Sequence, residues 1–260
     1  MRARRHGYTR FVGRPSKVRA VVLRSIRFGE ADRVLHLFTA ERGRVNAIAK
    51  GVRRTMSRFG ARLEPLTDVN LLLHHGRGEL ATVSGADIVH PHAAARGRPH
   101  SLAVGLIGAE AVLKLHVEPE PQPRAFAGLT RFLDLLDEGA DDPSVPPARD
   151  PLGLAFQLKL LMLAGYLPHL TSCAGCGSPE PPVAFSAAAG GAVCDGCRRR
   201  QGGFAISAPG IATVERLVES PLEAAAIDAA HGGEVLRVVE DTYAHHGGFQ
   251  LRTLLAAGHL

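Results

Sequence analysis

The chain has 260 residues, of which 45% are hydrophobic, so it can bury a sizeable core and form one to three domains. Its basic first residues are not followed by an apolar run, which excludes a signal peptide or membrane anchor there and predicts a cytoplasmic protein. Residues 1–60 hold sixteen of the 31 Lys and Arg but only three of the 25 Asp and Glu, an asymmetry that favours nucleic acid as a partner over a merely solvated basic face.

The first predicted domain is a small β-barrel at residues 17–92, preceded by a basic extension at residues 1–16. Turn residues separate five short β-rich runs, at 18–23, 33–38, 44–49, 68–73 and 79–84. Five short strands in this length suit a closed barrel, and a five-stranded barrel that binds nucleic acid is most often an OB-fold. An SH3-like barrel would show much the same pattern.

Basic residues of this domain are candidates for contacts with DNA phosphates. The densest group begins at Lys50 and predicts a mobile, positively charged loop that would give sequence-independent affinity with a steep salt dependence. Phe28, Phe38 and Phe59 are the aromatic residues within reach; we expect Phe38 in the core, and Phe59 either stacks on a base or packs. The predicted DNA-binding set comprises Arg10, Arg14, Lys17, Arg19, Arg42, Arg44, Lys50, Arg53, Arg54, Arg58 and Phe59.

After residue 100 the apolar residues recur every three or four positions, which predicts a mainly α-helical domain over residues 93–260. Pro-rich breaks at 118–123 and 139–151 interrupt it. The predicted helices lie at 102–117, 126–136, 152–166, 211–218 and 235–242. The fold class is therefore α+β and multidomain: an N-terminal OB-fold barrel followed by a helical domain with a small cysteine-containing insertion at about residues 169–205.

All four cysteines fall in one pattern, with Cys173 and Cys176 separated by seventeen residues from Cys194 and Cys197. Two Cys-x-x-Cys pairs at this spacing are typical of four thiolates around one Zn²⁺. Disulfides are disfavoured in a cytosolic protein, and unrelated thiols would not be confined to one pattern. A four-thiolate site is coordinatively closed, so the predicted zinc is structural. His169 is either a spare ligand or, as we expect, an ordinary polar residue.

Enzyme signatures are mostly absent. The chain lacks the GxxxxGK[ST] phosphate-binding loop, which predicts an ATP-independent protein, and it lacks the GxSxG nucleophile elbow. The stretch 116–118 (His-Val-Glu), with the later Cys173-x-x-Cys176, is superficially like the zinc deaminase signature. Ser172 instead of Pro precedes Cys173, and the second cysteine pair completes a ligand set without histidine. We therefore expect His116 at the surface end of the 102–117 helix.

Several motifs make residues 21–89 resemble the OB-fold domain of the RecO family of bacterial recombination mediators. They are Gly43-Arg44-Val45, Lys50-Gly51 with its trailing arginines, and Gly76-Arg77-Gly78-Glu79. Residues 163–170 (LAGYLPHL), followed by the first cysteine pair, are similar to the helix end that leads into the zinc module of zinc-bearing RecO proteins. The motifs cover about residues 17–90 and 150–205. Residues 1–16 are an addition to the family pattern, and some members lack the cysteines, so zinc is not essential to the shared function.

The resemblance implies a non-enzymatic DNA repair and recombination mediator. Such a protein binds single- and double-stranded DNA, anneals complementary strands and helps load the recombinase RecA on strands coated by the single-stranded DNA-binding protein. It implies RecR and that coating protein as partners, a place on the nucleoid and no membrane contact; we expect the partner surface in the helical domain, around Leu154–Leu163. Two other classes stay open on the residues: a zinc-ribbon transcription or RNA-binding factor, and a zinc nucleobase deaminase.

Overall fold

A computed structural model describes residues 15–53, 59–76, 78, 80–142 and 144–257. The described chain divides into two compact units. The barrel unit extends to Pro91 and also contains Glu118–Pro123; the helical unit comprises His92–Val117 and the residues from Arg124 onward. Among the described helices, none combines the length and the apolar character needed to cross a bilayer.

Five strands form the closed barrel: β1 (Ser16–Phe28), β2 (Asp32–Thr39), β3 (Gly43–Ala49), β4 (Asp68–His75) and β5 (Ala81–His90). Their order around the barrel is β1-β2-β3-β5-β4. All pairings are antiparallel except that of β3 with β5, which is parallel at Ala47 and Ile48. A short 3₁₀ turn at Gly60–Leu63 precedes β4. This OB-like arrangement confirms the predicted fold of the first domain.

Alternating side chains from all five strands fill the barrel interior, as the period of two in the sequence predicts. The interior residues are at most 6% exposed and include Val18, Ala20, Val22, Leu35, Leu37, Ala47, Ala49, Val69, Leu71, Leu73, Ala81 and Val83. Strand β1 is longer than the sequence pattern predicted. Beyond an irregularity between Val22 and Arg24 it continues to Phe28, paired with β2 alone.

The Pro-rich segment Glu118–Pro123, here called the strap, belongs to the barrel unit and not to the helical unit that precedes and follows it in sequence. The backbone amide of Gln122 donates to the carbonyl of Ala40 at 3.0 Å. At the β2–β3 turn, Gly43 has φ +58°, and a Cβ atom there would lie 2.3 Å from the carbonyl oxygen of Glu120. The strap therefore rests directly on this turn, a contact that only glycine permits without a shift of the backbone.

The helical unit contains α1 (Ala93–Gly97), α2 (Pro99–Leu115), α3 (Pro123–Glu138), α4 (Pro151–Leu163), α5 (Asp195–Gln201), α6 (Ala208–Glu219), α7 (Gly232–Thr242) and α8 (Arg252–Ala257). The five helices predicted from apolar periodicity are confirmed as α2, α3, α4, α6 and α7. Asp150 caps α4 by accepting from the amide of Gly153 at 2.8 Å, and Ser207 caps α6 by accepting from that of Gly210 at 3.0 Å.

The core of this unit forms around stacked rings of α3 and α4. The centroids of Phe132 and Phe156 lie 4.2 Å apart with nearly parallel planes. Gly108 of α2 gives them room, because a Cβ there would lie 2.5 Å from the Phe132 ring. Helix α4 is buried along most of its length, including Leu154, Leu158 and Leu161, each at most 1% exposed. The prediction of a partner surface around Leu154–Leu163 is therefore wrong for most of that stretch, because this uniformly apolar helix packs in the core.

The cysteine insertion forms a small module with a sheet of its own. Three short strands, β6 (Ala184–Ser186), β7 (Gly191–Val193) and β8 (Phe204–Ala205), make a sheet in the order β7-β6-β8, and α5 lies between β7 and β8 in the chain. One cluster of buried residues surrounds the cysteines and comprises Cys173, Ala184, Val193 and Cys197. Phe185, Ala192 and Phe204 of the three strands are buried as well. Two of the four residues of the cluster are candidate metal ligands, so this part of the module depends on the cysteines for its packing.

Candidate metal centre and nucleic-acid interface

The four cysteines come together, as their spacing predicted. Their Sγ atoms all lie within 4.8 Å of one another, and those of Cys176 and Cys194 are 3.9 Å apart. All four are free thiols. Four sulfurs about 2.3 Å from a central ion would be separated by roughly 3.8 Å, so this cluster has the dimensions of a tetrahedral metal site. Cys173 and Cys197 are buried, whereas Cys176 is exposed.

Local structure holds the sulfurs in place. The backbone amide of Cys194 donates to Sγ of Cys173 at 3.3 Å, and Nη2 of Arg200 donates to Sγ of Cys197 at 3.1 Å. Gly175 lies so close that an added Cβ would be 3.0 Å from the Cys197 sulfur. Donors directed at sulfur favour thiolates over thiols, which is the ionisation state that a metal requires.

The four cysteine sulfurs can be thiolates together only if a cation compensates their charge. Hydrogen bonding by the amide of Cys194 lowers the pKa of the Cys173 thiol to about 6. Burial raises the pKa of the Cys197 thiol to about 12. Four adjacent sulfurs can all ionise only when a positive charge compensates them, since like charges at this separation oppose one another. The cluster could therefore hold a metal ion through four thiolates, which leaves no open coordination position.

Neither histidine considered from the sequence is a ligand in this cluster. Nε2 of His169 lies 2.7 Å from the hydroxyl of Ser172, and its backbone bridges to the β7 strand at Gly191, so it is the ordinary polar residue that we expected. His116 lies at the end of α2 but is only 7% exposed, and burial lowers its pKa. The prediction of a surface position for His116 is wrong, because its side chain is covered although Lys114 and Val117 beside it are exposed.

The predicted DNA-binding residues of the barrel are positioned in different ways. Lys17, Lys50 and Arg53 are exposed. Arg19 forms an ion pair with the buried carboxylate of Asp68, with Nη2 2.6 Å from Oδ2. Nη1 of Arg42 lies 2.9 Å from Nε2 of His75, and the Nε atom of Arg44 is buried without a hydrogen-bond partner among the described residues. Arg10, Arg14, Arg54 and Arg58 lie outside the described residues.

Phe59 does not belong to this interface. It is 2% exposed and packs in the barrel core with Leu63. Its prediction as a base-stacking residue is wrong, and the alternative that it packs is correct, because its side chain is covered by the barrel core just before the 3₁₀ turn at Gly60–Leu63. Phe38 is fully buried, as predicted.

Two groups of functional interest were missed from the sequence. Arg200 approaches the Cys197 sulfur, and its position in a run of three arginines gave no sign that it differs from its neighbours. The second half of β1 exposes Arg24, Ile26, Arg27 and Phe28 beyond the closed part of the barrel. The alternation of the polar Ser25 and Arg27 with the apolar Ile26 and Phe28 was an available signal for this extension.

Comparisons with known proteins agree with this architecture. A family model described as "Recombination protein O N terminal" matches residues 14–92, and one described as "Recombination protein O C terminal" matches residues 96–255. The chain is similar to the DNA repair protein RecO of Rubrobacter xylanophilus, with 42% identity over 69% of this chain and 70% of that protein. It is also similar to that of Anaeromyxobacter dehalogenans, with 36% identity over 90% of this chain and 92% of that protein. A third similar protein, the DNA repair protein RecO of Thermobifida fusca, is 42% identical over 68% of this chain and 71% of its own length.

Proposed function

The chain belongs to the RecO family of DNA repair proteins, and from that premise we propose that it acts as an ATP-independent recombination mediator. In this proposal the barrel binds single- and double-stranded DNA and promotes annealing of complementary strands. The protein then helps load the recombinase RecA on strands coated by the single-stranded DNA-binding protein, with that protein and RecR as direct partners. It acts in the cytoplasm, on the nucleoid.

The observation that carries the DNA-binding part is the exposure of cationic side chains on an OB-like barrel. Lys50 and Arg53 are both exposed and form no ion pair with the described residues. Such side chains can approach phosphates without first breaking an internal salt bridge, unlike Arg19, whose charge is matched by Asp68. Phosphate contacts carry no sequence information and leave the base-pairing edges open, which suits a protein that pairs strands of any sequence.

The proposal includes one structural Zn²⁺ held by Cys173, Cys176, Cys194 and Cys197. The sulfur separations, the closed four-thiolate set and the position of two of the cysteines in a buried cluster of the module support it. When bound, the ion supplies the positive charge that lets the buried sulfurs ionise and ties the two cysteine pairs together. The chain's own contribution is to direct amide and guanidinium donors at the sulfurs.

The two other classes lose their support. A deaminase needs a coordination position for water, and the four-thiolate cluster leaves none. A sequence-reading transcription or RNA-binding factor would share the barrel and the cysteines, but membership of a DNA repair family favours DNA. A competition assay between mixed-sequence DNA and RNA separates these two possibilities, because the mediator should retain DNA of any sequence.

The DNA-binding part is tested with the double variant Lys50→Ala/Arg53→Ala. We expect its affinity for mixed-sequence DNA to fall and its log K against log salt slope to flatten by roughly 1.4 to 1.8 units, since each lost phosphate contact removes about 0.7 to 0.9. The charge-matched control is Arg124→Ala/Arg252→Ala, which removes two exposed arginines of the helical unit. If both double variants bind like the parent at every salt concentration, the basic loop is only a solvated surface.

A further inference from the structure

We infer that Phe28, at the end of β1, is a stacking platform for an unpaired base, which makes the barrel recognise single strands differently from duplex. This inference rests on the proposed DNA-binding function and deepens it by naming the residue that would select strands with accessible bases. The occupant to which it commits is single-stranded nucleic acid, the one polymer that offers both flat π faces and a line of negative charge.

Exposure distinguishes Phe28 from every other phenylalanine that the structure describes. Its side chain is 55% exposed, whereas the others are buried or, for Phe249, half-buried. Exposing a ring of this size to water is unfavourable by about 25 cal/mol per Å² of apolar surface, so this exposure is a cost that a bound ligand would relieve. Gly29, with φ +57° and nothing within 4 Å of a Cβ placed there, directly follows it and leaves open space at the turn.

Strand register places Phe28 at the end of an apolar row. Ile26 pairs with Val34, which pairs with Ile48, so the three side chains cross β1, β2 and β3 on one face. Phe28 is two residues beyond Ile26 on the same face, because side chains alternate along a strand. Ile26 is 38% exposed. A base stacked on Phe28 would therefore lie beside the apolar side chains of this row and not beside polar ones.

Positive charge lies on the same face as this row. Arg24 of β1 is two residues before Ile26 and pairs with His36, which lies opposite Asn46. Arg24 and Arg44 both act on the His36 ring, whose pKa is lowered chiefly by burial and further by these two charges. Arg27 is also exposed but, by the same alternation, lies on the opposite face of the strand. A cationic side chain on the face of an aromatic platform can contact the backbone of a strand whose base lies on the ring.

The basic loop begins at the same place. The carboxylate of Asp32, which pairs with Phe28 across the hairpin, accepts from the amide of Gly51 at 2.8 Å. The carbonyl of Ala31 accepts from the amide of Arg53 at 2.9 Å. These two bonds tie the start of the loop to the β1–β2 turn, so that Lys50 and Arg53 are held near Phe28. The proposed phosphate contacts and the proposed stacking contact are therefore adjacent.

One platform on each chain is compatible with strand pairing. A protein that stacked every base would hide the pairing edges, whereas a single ring engages one base and leaves its neighbours available to a complementary strand. In duplex DNA the bases are already stacked on one another, so the Phe28 ring can stack on a base only where the duplex opens locally. The expected signature is a loss of affinity confined to single strands when the ring is removed.

The first experiment uses the absence of tryptophan from the chain. Phe28→Trp introduces a single fluorophore, and stacking on a base should quench its emission when oligo(dT) is added to the full-length protein. The control is Leu167→Trp, which puts the fluorophore at a 51% exposed position of the helical unit. Quenching in Phe28→Trp but not in Leu167→Trp supports the inference. Emission that is unchanged in Phe28→Trp while the same protein binds the oligonucleotide overturns it.

The second experiment compares the affinity of Phe28→Ala with that of Ile88→Ala, a 44% exposed apolar residue of β5. Loss of the ring should weaken single-strand binding about 5- to 100-fold and leave duplex binding within about twofold of the parent, because stacking of one base is at stake. Ile88→Ala should change neither affinity. An equal loss on both DNA forms, or no loss on either while the parent binds both, overturns the stacking role alone. A parent protein that binds neither form removes the proposed function and this inference with it.

Discussion

At the scale of single residues, the four cysteine thiols give the most direct prediction, because each is a candidate ligand of the same metal ion. Two of them, Cys173 and Cys197, lie in the buried cluster of the module, and burial favours the protonated form of the Cys197 thiol by raising its pKa. Replacing Cys197 with Ser should therefore remove the metal and lower the thermal stability of the protein, since the bound ion joins the two cysteine pairs and its binding free energy contributes to folding. Elemental analysis should show about one zinc per chain in the parent and nearly none in Cys197→Ser. Ser172→Ala is the control with an unchanged ligand set; a zinc content that is equal in all three proteins would contradict the assignment.

The arginine beside the cluster gives a second residue-scale prediction. Arg200 donates to the Cys197 sulfur at 3.1 Å, whereas its neighbour Arg199 pairs with Asp195 and is 72% exposed. Removing a donor that supports a ligand usually costs about 10- to 100-fold in metal affinity. We expect Arg200→Ala to lose zinc to a chelating dye correspondingly faster and Arg199→Ala to behave like the parent. Equal zinc loss from both variants would mean that the arginine run contributes only net charge.

Residues also show where sequence reasoning succeeds and where it stops. The cysteine ligands were predictable because spacing alone brings two Cys-x-x-Cys pairs to one ion. Phe59 was not, because an aromatic beside positive charges can face solvent or fold back on a barrel, and only tertiary structure decides. His116 failed for a related reason, since amphipathic periodicity locates a helix but does not show whether its last residue is covered.

At the scale of elements, long periodic segments were predictable and short ones were not. The five barrel strands and the five longer helices carry enough alternation or 3.6-residue periodicity to be recognised. Strands β6, β7 and β8 have only two or three residues each, which is too short for a local pattern to indicate them. The strap was predicted as a simple break between helices. Its position on the β2–β3 turn depends on a non-local hydrogen bond from Gln122 to Ala40 that no sequence pattern indicates.

The contact between strap and turn can be measured with two glycines whose φ angles are almost equal. Gly43 has φ +58° and Gly29 has φ +57°, but only at Gly43 would a Cβ meet the strap, 2.3 Å from the carbonyl oxygen of Glu120. Gly29→Ala should cost about 1 to 2 kcal/mol of stability, the cost of alanine in the left-handed region. Gly43→Ala should cost a further 1 to 3 kcal/mol or so, because overpacking is added. Denaturant unfolding measures the free energy of unfolding of both variants. Equal losses of stability would contradict the prediction, because they would show that the strap moves away from the added Cβ at no cost.

At the scale of the whole molecule, the uneven charge distribution connects the fold with the proposed activity. Two DNA strands repel each other, and a barrel whose exposed Lys50 and Arg53 neutralise phosphates lowers the cost of their encounter without any covalent step. Composition and spacing led to a zinc-bearing nucleic-acid-binding protein. RecR, RecA and the single-stranded DNA-binding protein came from the family resemblance, because a partner chain leaves no readable pattern in the residues that contact it.

Annealing is the activity on which this account depends most directly. The measurement mixes complementary fluorescent oligonucleotides with the full-length protein in the absence of nucleotide, with and without the single-stranded DNA-binding protein. Charge neutralisation should raise the pairing rate at least about tenfold over the spontaneous rate, with the effect declining steeply as salt is added and in Lys50→Ala/Arg53→Ala. Pairing should persist on the coated strands if the proposed contact with the coating protein holds. A pairing rate that equals the spontaneous one in both conditions would contradict the mediator function and leave a DNA-binding protein without annealing activity.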